Sequence, residues 1–81
     1  MTFELLTRQG CHLCEQMEAL VAEVLPRHGA TYGVVDVDAD AALAARFGEV
    51  VPVLLRDGQA VAKVRVTARQ LERIVRRRHR V

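Results

Sequence analysis

Phe3-Glu4-Leu5-Leu6-Thr7-Arg8-Gln9-Gly10-Cys11-His12-Leu13-Cys14 is the stretch on which the reading of this chain turns. Its first half, Thr2–Thr7, is apolar and compact enough for a buried strand, and Arg8–Gly10 makes a short turn. Cys11 and Cys14, the only cysteines in the chain, stand just past that turn, where a helical pattern opens. Two thiols one helical turn apart can complete a thiol–disulfide exchange cycle between them. As a staple they do little: a four-residue loop contributes at most roughly 2 kcal/mol in the chain-entropy model. Chemistry explains the pair better than stability.

Working outward, the spacing predicts a helix from Cys11 to about Leu25, ended by Pro26 and Gly29. At about 100° per residue, Leu13, Leu20, Val21 and Val24 cluster around Met17. Cys14 falls on the edge of that stripe and Cys11 turns outward. Tyr32–Val37 reads as a second strand, parallel to the first through a right-handed crossover. Asp40 is a good N-cap for a short helix, Ala41–Phe47, stopped by Gly48. Val51–Arg56, with Pro52 at its start, is the third strand. Asp57-Gly58 is a hairpin signal leading to a fourth strand, Gln59–Val64. Thr67-x-x-Gln70 is a capping box for a last helix, with Ala68, Leu71, Ile74 and Val75 inside. Arg78 falls on the same stripe, so that helix runs off the core there. The order β-α-β-α-β-β-α predicts a single α/β domain over residues 1–81, a four-stranded mixed sheet with helices on both faces. With C-x-x-C at the first strand–helix junction, this is the order of a thioredoxin-like fold.

Composition narrows the function. The 81 residues, 51% hydrophobic, can fill one small core. The opening Met1-Thr2-Phe3-Glu4 has no basic region and no apolar run approaches the ~20 residues that cross a bilayer. A cytoplasmic location, with no membrane partner, is the expectation. Net charge is only +2, yet Arg73, Arg76, Arg77, Arg78 and Arg80 crowd the end. The three aromatic residues, Phe3, Tyr32 and Phe47, do not interleave with them, so a solvated helix end is expected and no nucleic acid. Asp36, Asp38 and Asp40 lack the Gly and Glu of a calcium loop and read as caps and a solvated strand end. His12, His28 and His79 have no zinc-site spacing to the cysteines, and no metal ligands are assigned.

The attacking species in thiol chemistry is the thiolate. Cys11 sits where a helix start leaves N–H groups unpaired at the positive end of the macrodipole, and Arg8 adds a nearby cation. A depressed thiol pKa is expected. Cys11 then attacks and Cys14 resolves, while His12 and Leu13 tune the potential. Val51, preceding Pro52, keeps a free N–H and C=O that can pair with an extended substrate backbone.

With Arg8-x-Gly10-Cys11-x-x-Cys14 and Val51-Pro52, the chain resembles the glutaredoxins, in particular the short bacterial glutaredoxin-like proteins of the thioredoxin superfamily. The resemblance extends through Val35-Asp36-Val37-Asp38 and Arg46-Phe47-Gly48. It implies a cis peptide bond at Pro52, packed beside the sulfurs. It also places Arg8 where glutaredoxins contact glutathione, and Thr67 near their site for the γ-glutamyl carboxylate. The chain departs from the family where Ala62-Lys63-Val64-Arg65-Val66 replaces a Gly-Gly pair, and where His12-Leu13 replaces Pro-Tyr. The resemblance implies a monomeric oxidoreductase that reduces protein or glutathione mixed disulfides, with no tightly bound cofactor. Its electrons come from glutathione as co-substrate or from a thioredoxin-type reductase. The alternative is a glutaredoxin-type iron–sulfur or metal-binding module, ligated through Cys11 and shared between two protomers.

Overall fold

A computed structural model of the chain describes residues 2–77. Strands β1 (Phe3–Thr7), β2 (Tyr32–Asp36), β3 (Val53–Arg56) and β4 (Gln59–Lys63) form one sheet in the order β2-β1-β3-β4. β1 and β2 are parallel, with Leu5 opposite Val34. β3 lies antiparallel on the other side of β1, pairing Leu6 with Val53, and β4 returns antiparallel to β3. The four-stranded mixed sheet expected from the sequence is the one observed.

Side-chain alternation along the strands builds two cores. Phe3, Leu5 and Leu54 meet Met17, Val21 and Val24 of α1 (His12–Val24) and Leu71 and Val75 of α3 (Ala68–Arg76). Leu6, Val53 and Leu55 point the other way, against Val37 and Phe47, the last residue of α2 (Ala41–Phe47). β3 is buried at every position because it is central and covered on both faces. Fully burying each Leu, Val or Phe contributes about 1.5–3 kcal/mol, so these two layers are the fold's main support.

The ends of the elements differ from the sequence reading. α1 stops at Val24, and Pro26 is carried in a 3₁₀ turn, Leu25–His28, where its missing N–H costs nothing. β2 ends at Asp36, whose carboxylate accepts from the Asp38 N–H and opens a second 3₁₀ turn. β3 begins at Val53 rather than Val51. β4 ends at Lys63, because Val64 has φ +68° and donates its N–H to the Pro52 carbonyl at 2.7 Å. Leu13 and Leu20 are half-buried, since α1 and α3 leave a groove above them. Arg78, His79 and Arg80 lie outside the described residues.

The antiparallel register of β1 and β3 positions the site. The end of β1 adjoins the start of β3, so the Arg8–Cys11 turn and the Val51–Pro52 corner emerge at one edge of the sheet.

Candidate active site

Gly10, at φ +71°, turns the chain away from β1 through a conformation that favours glycine. Cys11 is thereby left extended at the N-cap of α1, where its Sγ accepts from the Cys14 N–H at 3.1 Å. The two sulfurs are joined in a disulfide, with Cα atoms 5.2 Å apart. Their surroundings differ. Cys14 is 3% exposed and belongs to the buried face of α1, whereas Cys11 is partly open to solvent. His12, at the exposed start of the helix, meets Gln16 at 3.1 Å and Glu15 at 3.9 Å.

The Val51-Pro52 bond is cis and the Pro52 ring is fully enclosed. The polar groups this corner leaves open are therefore those of the Val51 backbone. That residue is half-buried, and its N–H and C=O make no hydrogen bond among the described residues. Thr67 caps α3: its Oγ1 accepts from the Gln70 N–H at 3.1 Å, and the Gln70 side-chain carbonyl accepts from the Thr67 N–H at 2.9 Å. Between the two helices runs a groove of about 280 Å³ lined by Leu13, Met17, Leu20, Val66, Thr67 and Gln70.

Arg8 is engaged within the chain. Its guanidinium donates to both carboxylate oxygens of Asp38 and to the Gly48 carbonyl. The hydrogen bond to Asp38 raises the Arg8 pKa and holds the Asp38 carboxyl below its usual range. Asp38 and Gly48 are the residues that sequence reasoning missed here. Asp36 and Asp40 are the caps that were expected, but Asp38 pairs with a residue thirty positions away, and no local pattern announces that. Among the described residues, no three His, Cys, Asp or Glu side chains come together in a way that could hold a metal ion, and no helix is long and apolar enough to cross a membrane.

Known proteins are similar to this chain in sequence and fold. Over 61 residues the chain is 39% identical to uncharacterized proteins of Mycobacterium tuberculosis and Mycobacterium bovis, a match covering 69% of this chain and 63% of theirs. The chain thus spans less than two-thirds of those relatives' length. The X-ray structure of protein XcR50 from X. campestris superposes with a TM-score of 0.76 at 30% identity, covering 90% of this chain and 93% of that one. A mutant thioredoxin from Halobacterium salinarum superposes with a TM-score of 0.66 at 26% identity, covering 91% and 70%. The fold is thioredoxin-like, with the Cys11–Cys14 pair at its first strand–helix junction. A match of residues 2–76 to the glutaredoxin-like domain (DUF836) completes the assignment: this chain belongs to that family.

Proposed function

We propose that this chain is a thiol–disulfide oxidoreductase that reduces disulfides of protein partners through Cys11 and Cys14. The observation that carries the reading is the unequal exposure of two disulfide-bonded cysteines at one helix start. The partly exposed Cys11 is the cysteine a substrate reaches. In the reduced protein its thiolate attacks a partner disulfide; the Cys11–partner bond forms and one partner thiolate leaves. Cys14, one turn behind, then attacks the Cys11 sulfur and expels the second partner thiolate. The internal disulfide closes, and two electrons and two protons have passed to the partner. An external thiol reductant, either glutathione or the dithiol of a thioredoxin-type reductase, reverses the cycle.

Protein disulfides suit the site better than a glutathione adduct. Arg8 has three of its five guanidinium donors, and its charge, committed to Asp38 and Gly48. Bulky Val64, Arg65 and Val66 stand on the approach to Thr67. The free N–H and C=O of Val51 match an extended polypeptide by strand addition, and the similarity to a thioredoxin points the same way. Turnover of a small disulfide and of a protein disulfide tests the reading. Cys11→Ser should abolish both, and Cys14→Ser should accumulate the mixed disulfide. Retention of wild-type rates by Cys11→Ser would overturn it.

A further inference from the structure

Arg65, Arg69 and Arg73 are exposed, and their guanidinium groups have no carboxylate or other hydrogen-bond partner among the described residues. Other arginines have such work: Arg8 holds Asp38, Arg27 meets Glu23 at 2.6 Å, and Arg76 meets Glu72 at 3.8 Å. Helix electrostatics account for Arg73, because cations near a helix C-terminus are favoured. They do not account for the other two. Arg69 lies in the first turn of α3 and Arg65 precedes its cap, where a cation opposes the macrodipole, and that turn contains no acid to offset it. Folding gives no reason for cations at these two positions.

Their placement does. Arg65 borders the groove that starts at Leu13, in the middle of the C-x-x-C. It also lines a shallow depression of about 260 Å³ with Val61, Val66, Ile74 and Arg73. Arg73 in turn lies beside Arg69, Arg76 and Arg77 on the outer face of α3, around Glu72, whose carboxylate is taken up by Arg27, His28 and Arg76. An arginine-dominated strip with a partly apolar floor, in which Glu72 is, among the described residues, the one carboxylate and is already paired, thus runs from the redox groove along the last helix.

We propose that this strip docks an acidic segment of the disulfide-bearing protein partner, whose Asp and Glu carboxylates meet Arg65, Arg69 and Arg73 while its disulfide faces Cys11. The proposal rests on the oxidoreductase reading and names the class of partner for it. Guanidinium forks match carboxylates two bonds at a time. The strip has no aromatic platform for nucleic-acid bases: Phe3 and Phe47 are buried in the cores.

The test uses the reduced protein and two synthetic peptides, each with one disulfide and a flank of either Asp/Glu or Lys. Bis(2-hydroxyethyl) disulfide serves as a neutral control. At about 20 mM salt the acidic peptide should be reduced about tenfold faster than the basic one. The difference should vanish near about 500 mM salt, where screening shrinks to a few ångströms. Arg69→Glu/Arg73→Glu should remove or invert the preference and leave the neutral disulfide's rate unchanged. Equal rates for the two peptides at low salt, with the neutral disulfide still reduced, overturn the docking strip and leave the enzyme reading standing. Failure to reduce any of the three overturns the enzyme reading and the strip with it. A single-stranded oligonucleotide that blocks the acidic peptide where free acidic peptide does not would also overturn it, assigning the strip to nucleic acid.

Discussion

Arg8 and Asp38 meet fork to fork, Nε donating to Oδ2 and Nη2 to Oδ1, each at 2.9 Å. The third prong, Nη1, donates to the Gly48 carbonyl at 3.0 Å. One side chain therefore ties the end of β1 to the segments before and after α2, and the second of these leads to Val51–Pro52. The Asp38 carboxyl is held below its usual range, chiefly by the hydrogen bond from Arg8. A depressed carboxyl stabilises the fold above its unfolded pKa, and that contribution is lost as pH falls through the folded value. Asp38→Asn should therefore melt below the wild type near neutral pH, with the gap closing only as the pH falls below the ordinary aspartate range. Thermal melts across that range check it; a gap of constant size would show that the ion pair is not its source.

Gly48 is small for a reason unrelated to backbone freedom, since its φ is −55°. A Cβ there would stand 2.5 Å from the Ala44 carbonyl oxygen and 3.0 Å from Arg8 Nη2. Gly48→Ala should destabilise the protein by about 1–3 kcal/mol, as overpacking does. A shift in the urea midpoint without a change in slope is the expected signature.

Val64 is a β-branched residue in the left-handed region, which costs about 1–2 kcal/mol relative to an ordinary conformation. Glycine adopts that conformation freely but loses more entropy on folding, about 0.5–1 kcal/mol. Val64→Gly should thus stabilise the protein by up to about 1 kcal/mol, read from the same urea curves. A destabilised variant would mean that the valine side chain, 36% exposed, packs better than its exposure indicates.

Arg56 is 6% exposed and donates Nη1 to the Ile74 carbonyl at 2.7 Å, with its guanidinium 5.7 Å over the Phe3 ring. Its Nε is buried with no hydrogen-bond partner among the described residues. Removing this side chain leaves the Ile74 carbonyl with only the longer, 3.3 Å hydrogen bond from the Arg77 N–H and opens space against Phe3. Arg56→Ala should cost about 2–4 kcal/mol in denaturant unfolding. Arg56→Met should recover part of that by keeping the apolar stem.

These residues also mark how far the sequence can be read. Local signals located the four strands and three α-helices of the described residues, though not the two 3₁₀ turns: Leu5 and Leu6 diverge to two cores, Leu71 and Val75 share one face, and Asp40 caps the short helix between them. The Asp57-Gly58 turn was legible because both residues suit the positive φ they adopt. Val64 was not, because a valine does not announce a left-handed bend; it continues the strand pattern until the Pro52 carbonyl captures its N–H. Within the site, the C-x-x-C and the Val-Pro corner are contiguous motifs and could be read directly. The Arg8–Asp38–Gly48 clamp is made by tertiary contact across segments thirty and forty residues apart, which leaves no trace in spacing.

That clamp bears on the chemistry of Cys11. Arg8, neutralised by Asp38, lends little positive potential to the sulfur, so stabilisation of the thiolate falls to the start of α1. There the Cys14 N–H already points at Cys11 Sγ from 3.1 Å, and the macrodipole adds to it. In the reduced protein Cys11 should titrate below the roughly 8.5 of a free thiol. Moreover, Arg8→Gln should leave that titration nearly unchanged, because the charge it removes is already paired. Thiolate absorbance followed against pH in the Cys14→Ser variant, with and without Arg8→Gln, measures both. A free-thiol value in the parent would remove the helix start as the source of activation. A large upward shift on losing Arg8 would return that role to the guanidinium.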